Sequence, residues 1–172
     1  MISCPGNSAV ANTPGLCSAI VSYTTPVGTD NCSGATTIQT LGLPSGASYP
    51  VGATTNIFKV TDGTGNTATC AFAVSVTDTQ LPTITCPTNI AVANTSGLCS
   101  AIVSYTTPVG TDNCSGATTI QTLGLPSGAS YPVGATTNIF KVTDGTGNTA
   151  TCAFAVSVTD TQLPTITCPA NI

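Results

Sequence analysis

The sequence predicts an all-β protein made of two tandem antiparallel β-sandwiches of about seven strands each. Three observations carry that expectation. Sliding the 172-residue chain by 82 positions leaves 84 of 90 overlapping residues identical, so the chain is two copies of one unit. Within a unit, apolar residues alternate with small or polar ones at period two. No window combines helical periodicity with capping signals at both ends. A period of 82 is too long for a solenoid whose repeats cannot fold alone, and it suits self-sufficient beads.

The clearest strand is Cys70–Thr77, with Cys70, Phe72, Val74 and Val76 on one face. Cys17, Ala19, Val21 and Tyr23 share a face in the same way, and Thr55–Thr61 places Phe58 and Val60 opposite Ile57 and Lys59. Weaker strand segments are Ile2–Val10, Thr36–Leu41 and Ser48–Val51. Turn chemistry separates them at Asn12-Thr13-Pro14-Gly15, Pro44-Ser45-Gly46, Pro50-Val51-Gly52 and Asp62-Gly63-Thr64-Gly65-Asn66. The units are expected at residues 1–82 and 83–164, with residues 165–172 restating the first strand of a third. Thr77–Cys86 passes almost directly from one unit to the next, and Pro82 fixes φ there, so a semi-rigid join is expected.

Composition removes whole classes of function. The chain holds 35 Thr and 15 Ser but six Asp and two Lys, and it has no Glu, Arg, His or Trp. Without His there is no imidazole general base and no Ser-His-Asp relay. With no Arg and a net charge of −4, a phosphate clamp or nucleic-acid footprint is excluded. No run approaches 18 apolar residues, so no membrane span is expected. An enzyme is not expected, nor is a cofactor. Met1-Ile2-Ser3-Cys4 lacks the basic and apolar segments of a secretion signal.

Taken together, several segments resemble the hyalin repeat (HYR) module, an immunoglobulin-like extracellular domain. They are Pro82–Ile90 at the start of a unit, Gly28-Thr29-Asp30-Asn31-Cys32 near its middle, then Leu43–Gly52 and Thr61–Cys70. Order and spacing agree over essentially the whole chain. The resemblance implies an immunoglobulin-like sandwich, found in tandem, extracellular, with roles in adhesion or scaffolding and not in catalysis. A strand aromatic common in the family, often Trp, falls here to Tyr23 and Tyr105, which leaves a lean core.

Each unit has four cysteines separated by 12, 14 and 37 residues. Zinc sites favour C-x2–4-C pairs, so disulfides are the better reading, and they imply an oxidising compartment. Three pairings are possible within a unit. The sandwich usually docks its first strand parallel to its last, which brings Cys4 near Cys70. Animal members of the resembled family often keep only the cysteines matching these two. The expected pairs are Cys4–Cys70 and Cys17–Cys32, repeated as Cys86–Cys152 and Cys99–Cys114. Cys168 then has a missing or intermolecular partner, at the start of an unpaired strand.

The acidic residues Asp30, Asp62 and Asp78 recur as Asp112, Asp144 and Asp160. Beside Asn, Gly and Thr they suit turn stabilisation. The alternative is calcium at the junction, where Asp112, Asn113, Asp144 and Asn148 would face Asp78 with hard oxygen ligands. Lys59 and Lys141 read as solvent-facing strand residues and not as isopeptide donors. Asn31, Asn94 and Asn113 satisfy the N-glycosylation pattern, while Asn12, the twin of Asn94, is followed by Pro14 and does not. The function expected is a structural segment of an extracellular fibre or surface stalk, partnered by further repeats or copies of itself head to tail. The alternative is an adhesive carbohydrate- or protein-binding module, for which Tyr49 is the most plausible exposed anchor.

Overall fold

A computed structural model describes residues 1–169. It divides into two compact units, Met1–Gln80 and a second starting at Leu81. Unit one contains β1 (Ser8–Ala11), β2 (Ser18–Val21), β3 (Thr36–Leu41), β4 (Ala47–Pro50), β5 (Gly52–Thr61) and β6 (Thr67–Thr77). Unit two repeats them as β7 (Ile90–Ala93), β8 (Ser100–Val103), β9 (Thr118–Leu123), β10 (Ala129–Pro132), β11 (Gly134–Thr143) and β12 (Thr149–Thr159). Each of the six segments named from the sequence contains a strand, although in Ile2–Val10 the strand begins only at Ser8. A seventh is absent among the described residues: Gly28 N, in the long segment between β2 and β3, donates to Thr37 Oγ1 and not to a ladder.

One sheet runs in the order β1-β6-β5-β3, and β2 pairs with β4 in a second sheet. The β5–β6 hairpin is its spine, ten paired residues from Gly52↔Val76 to Thr61↔Thr67. β1 lies parallel to β6, with Ser8 opposite Val74 and Ala11 opposite Thr77. This parallel pair fixes the direction of the bead. The chain comes in at one end, here called the leading end, and leaves β6 at the trailing end.

The inward faces are those the alternation marks. Ala19 and Val21 of β2 and Tyr49 of β4 pack on Phe58, Phe72, Val74 and Val76 of β5 and β6. Tyr23 takes the aromatic role expected of it, edge-on to Phe72 with ring centroids 4.9 Å apart. Unit two repeats this packing with Tyr105 against Phe154, also at 4.9 Å. One of the few differences between units reaches the core: Ile90, where unit one has Ser8, packs against the second cluster.

Below this layer lies a polar knot. Asn56, fully buried at 0% exposure on β5, accepts through Oδ1 from Leu43 N at 2.9 Å and Gln39 Nε2 at 3.1 Å. Gly42 must be glycine here. Its φ is +90°, and a Cβ would lie 2.2 Å from Asn56 Oδ1.

Candidate functional site

Turns close both ends of each bead, and the conspicuous polar residues collect there. At the leading end, the Asp62–Asn66 turn wraps around one carboxylate. Asp62 Oδ1 accepts from Thr64 N, Thr64 Oγ1 and Asn66 N, each at 2.9 Å, and Oδ2 accepts from Asn66 Nδ2 at 2.8 Å. The Asn66 side chain first, and Thr64 after it, hold the Asp62 carboxyl down at about 2. Asp144 is wrapped identically, by Thr146 N at 2.9 Å and Asn148 N and Nδ2 at 2.8 Å. Burial pushes its carboxyl up, but the hydrogen bonds from Asn148 and Thr146 outweigh this and leave it below the ordinary value. Asp30 and Asp112 accept from the backbone N of Cys32 and Cys114 at 3.1 and 2.9 Å. Asp78, on unit one's exit from β6, accepts from Gln80 N at 3.1 Å. Each carboxylate named for calcium accepts at least one hydrogen bond from its own loop, and Asn148 serves the Asp144 turn.

At the trailing end the organiser is an asparagine. Asn94 Nδ2 donates to Leu98 O and Asp160 Oδ1, both at 3.0 Å, and Asn94 Oδ1 accepts from Thr161 N at 3.1 Å. Both amide hydrogens of this glycosylation-pattern residue are therefore engaged. Asn31 is exposed and Asn113 half-buried. Gln80 and Gln162, which the sequence reading passes over, cap the same turns: each Oε1 accepts a glycine N, from Gly15 and Gly97, at 2.6 Å.

The cysteines separate into two sets. Cys4 is bonded to Cys70 and Cys86 to Cys152, each with Cα atoms 5.6 Å apart, as the parallel first and last strands lead one to expect. The expected Cys17–Cys32 and Cys99–Cys114 pairs do not form, because Cys32 and Cys99 carry free thiols. Topology explains the correction. Cys17 O accepts from Val51 N, beside the start of β5. Cys32 lies past the other end of β5, where a Cβ on Gly63 would sit 3.3 Å from the Ser33 carbonyl. Ten residues of strand span about 30 Å, whereas a disulfide needs Cα atoms within about 7 Å. Cys99 and Cys114 are separated by β11 in the same manner, with Val133 N on Cys99 O and Gly145 beside Ser115. Cys168 is free and exposed. It stands in Thr165–Pro169, which forms no strand, and the rest of the expected third-repeat strand, 170–172, lies outside the described residues.

Tyr49 also requires correction. It is not an exposed anchor: it is 0% exposed, and its hydroxyl donates to the Leu43 carbonyl with Asn56 Oδ1 3.2 Å away. Burial first, then the neighbouring Tyr23, pushes its hydroxyl up to about 12. No helix among the described residues is long and apolar enough to cross a membrane.

Comparison with known proteins agrees with this architecture. The HYR domain family model matches residues 1–76 and again 77–158. Hyalin of Strongylocentrotus purpuratus is 36% identical over 177 residues, covering 99% of this chain and 15% of that protein. Hyalin of Lytechinus variegatus is 35% identical over 160 residues, with 90% and 30% covered. The serine-rich adhesin for platelets of Staphylococcus aureus is 30% identical over 155 residues, with 76% and 7% covered. The chain therefore spans less than a third of the length of these curated relatives. Among solved structures, protocadherin gamma B2 cadherin domains 1–5 give a TM-score of 0.43 at 11% identity, over 93% of this chain and 39% of that one. Disulfides of this kind persist outside the cytosol, and with these relatives they mark an extracellular or cell-surface protein. Two complete copies of one module, matched end to end, place the chain in the HYR domain family.

Proposed function

We propose that this chain is a non-catalytic structural segment of an extracellular fibre or cell-surface stalk, in which beads follow one another head to tail. The observation that carries the reading is the parallel β1–β6 pair. The chain enters a bead at one end and leaves it at the other, which supports a head-to-tail succession. Near-identity of the units supports the same reading, since a rod repeats one bead and one joint. The carboxylates described above serve turns, and without His or Glu no general base of ordinary strength stands beside them.

Small-angle scattering on the chain and on tandem duplications of it tests the reading. A rod gives a maximum dimension that grows in proportion to repeat number; growth nearer the 0.6 power describes a flexible string and would refute it. The adhesive reading keeps one support, the relative named as an adhesin for platelets. Saturable binding to a glycan or cell-surface ligand that an isolated unit retains in full would favour it.

A further inference from the structure

Each unit carries one free cysteine on its body, Cys32 in unit one and Cys99 in unit two. Cys99 lies at the trailing end of unit two and Cys32 at the leading end of unit one, and both thiols are exposed. Each lines an open cleft. The trailing cleft, about 440 Å3, is bounded by Asn94, Leu98, Cys99, Asp160 and Gln162. The leading cleft, about 570 Å3, is bounded by Asp30, Cys32, Ser33, Asp62 and Thr64.

We propose that Cys99 of one molecule and Cys32 of a second copy form a disulfide that locks successive copies head to tail. The proposal rests on the head-to-tail reading above and supplies its covalent bond. Three features favour this pair over a like-with-like bond. Trailing and leading ends are what a directional bead presents to its successor. A trailing-to-leading contact is heterologous, so it leaves both outer ends available and propagates. The oxidising surroundings that keep Cys4–Cys70 intact also oxidise exposed thiols. With oxidised glutathione as the oxidant, the first thiolate attacks that disulfide, forming a mixed disulfide and releasing one reduced glutathione. The second thiolate then displaces the other glutathione. Overall one S–S bond is broken and one made, and the two thiol protons end on two glutathiones. Carboxylates flank both thiols, Asp160 on one side and Asp30 with Asp62 on the other, so salt should speed the joining by screening.

The full chain with Cys168→Ser is incubated with oxidised glutathione and run on a non-reducing gel. The expected result is a ladder of covalent multimers that forms faster at 0.15 M than at 0.01 M salt, concentrations taken from the usual screening range. Adding C32S or C99S to that background is expected to leave each variant monomeric on its own. A mixture of the two variants restores a covalent dimer and nothing longer, because one complementary pair remains. Both residues are exposed, and unchanged circular dichroism confirms that the variants fold. A covalent dimer from either variant alone, the product of a like-with-like bond, overturns the proposal, as does a mixture that stays monomeric. If copies associate in line by sedimentation yet carry no Cys32–Cys99 bond, only the lock fails; if they stay monomeric in both redox states, the head-to-tail reading fails with it.

Discussion

The buried asparagine on β5 governs local stability out of proportion to its size. Its Oδ1 gathers Leu43 N, Gln39 Nε2 and the neighbourhood of Tyr49 Oη, so removing that one oxygen leaves Leu43 N without its acceptor and breaks up the knot. Asn56→Ala should cost about 3 kcal/mol, read as a shift in the urea midpoint without change in slope. A second residue, Asp62, like its twin Asp144, contributes to the acid limit. Its folded value near 2 lies below the ordinary 3.8, so its stabilisation is present above pH 3.8 and is lost as pH falls through about 2. NMR titration should show the Asp62 carboxylate ionised down to that range, and Asp62→Asn should flatten the acid limb of the stability curve below pH 4. The sequence marked both residues in part. Asn56 shares the parity of Phe58 and Val60, a signal that the sequence reading did not use. Asp62 between Thr61 and Gly63 reads as a turn former. Tyr49 was misread because a lone aromatic near Pro50 and Gly52 carries no periodic signal of its own.

Among the elements, β1 is the most informative. It has four residues, one parallel neighbour, and a disulfide a few residues upstream. Cys4–Cys70 closes a separation of 66 residues, for which the chain-entropy relation gives about 4 kcal/mol. Replacing both cysteines by alanine should lower unit one's stability by about that amount in denaturant titration. The bead should then be close to unfolding, since small domains hold only about 5–15 kcal/mol in total. The counterpart strand β7 begins with Ile90, which packs on its core, where β1 begins with Ser8. Ser8→Ile should therefore stabilise unit one by about 1 kcal/mol, raising its melting temperature. Strand identity was readable from alternation and turns because those signals are local. The second cysteine pairing was not, because spacing along the chain says nothing about which end of a ten-residue strand a loop reaches.

At the scale of the whole molecule, β5 and β11 have a further consequence. The chain contains two basic residues in all, Lys59 and Lys141. Each lies in mid-ladder on a strand paired on both sides: Lys59 opposite Thr69 of β6 and Ile38 of β3, and Lys141 opposite Thr151 of β12 and Ile120 of β9. Trypsin thus has two peptide bonds to attack, and neither can enter a protease cleft until the sheet around it comes apart. Digestion of the native chain should follow its unfolding equilibrium. Loss of the Cys4–Cys70 bond should speed cut one, after Lys59, by roughly a thousandfold, the factor that corresponds to about 4 kcal/mol. Cleavage at Lys59 in the intact protein at the rate of an unfolded peptide would disprove this. The scarcity of cations that leaves the chain acidic thus also leaves trypsin only two cuts, both locked inside a sheet.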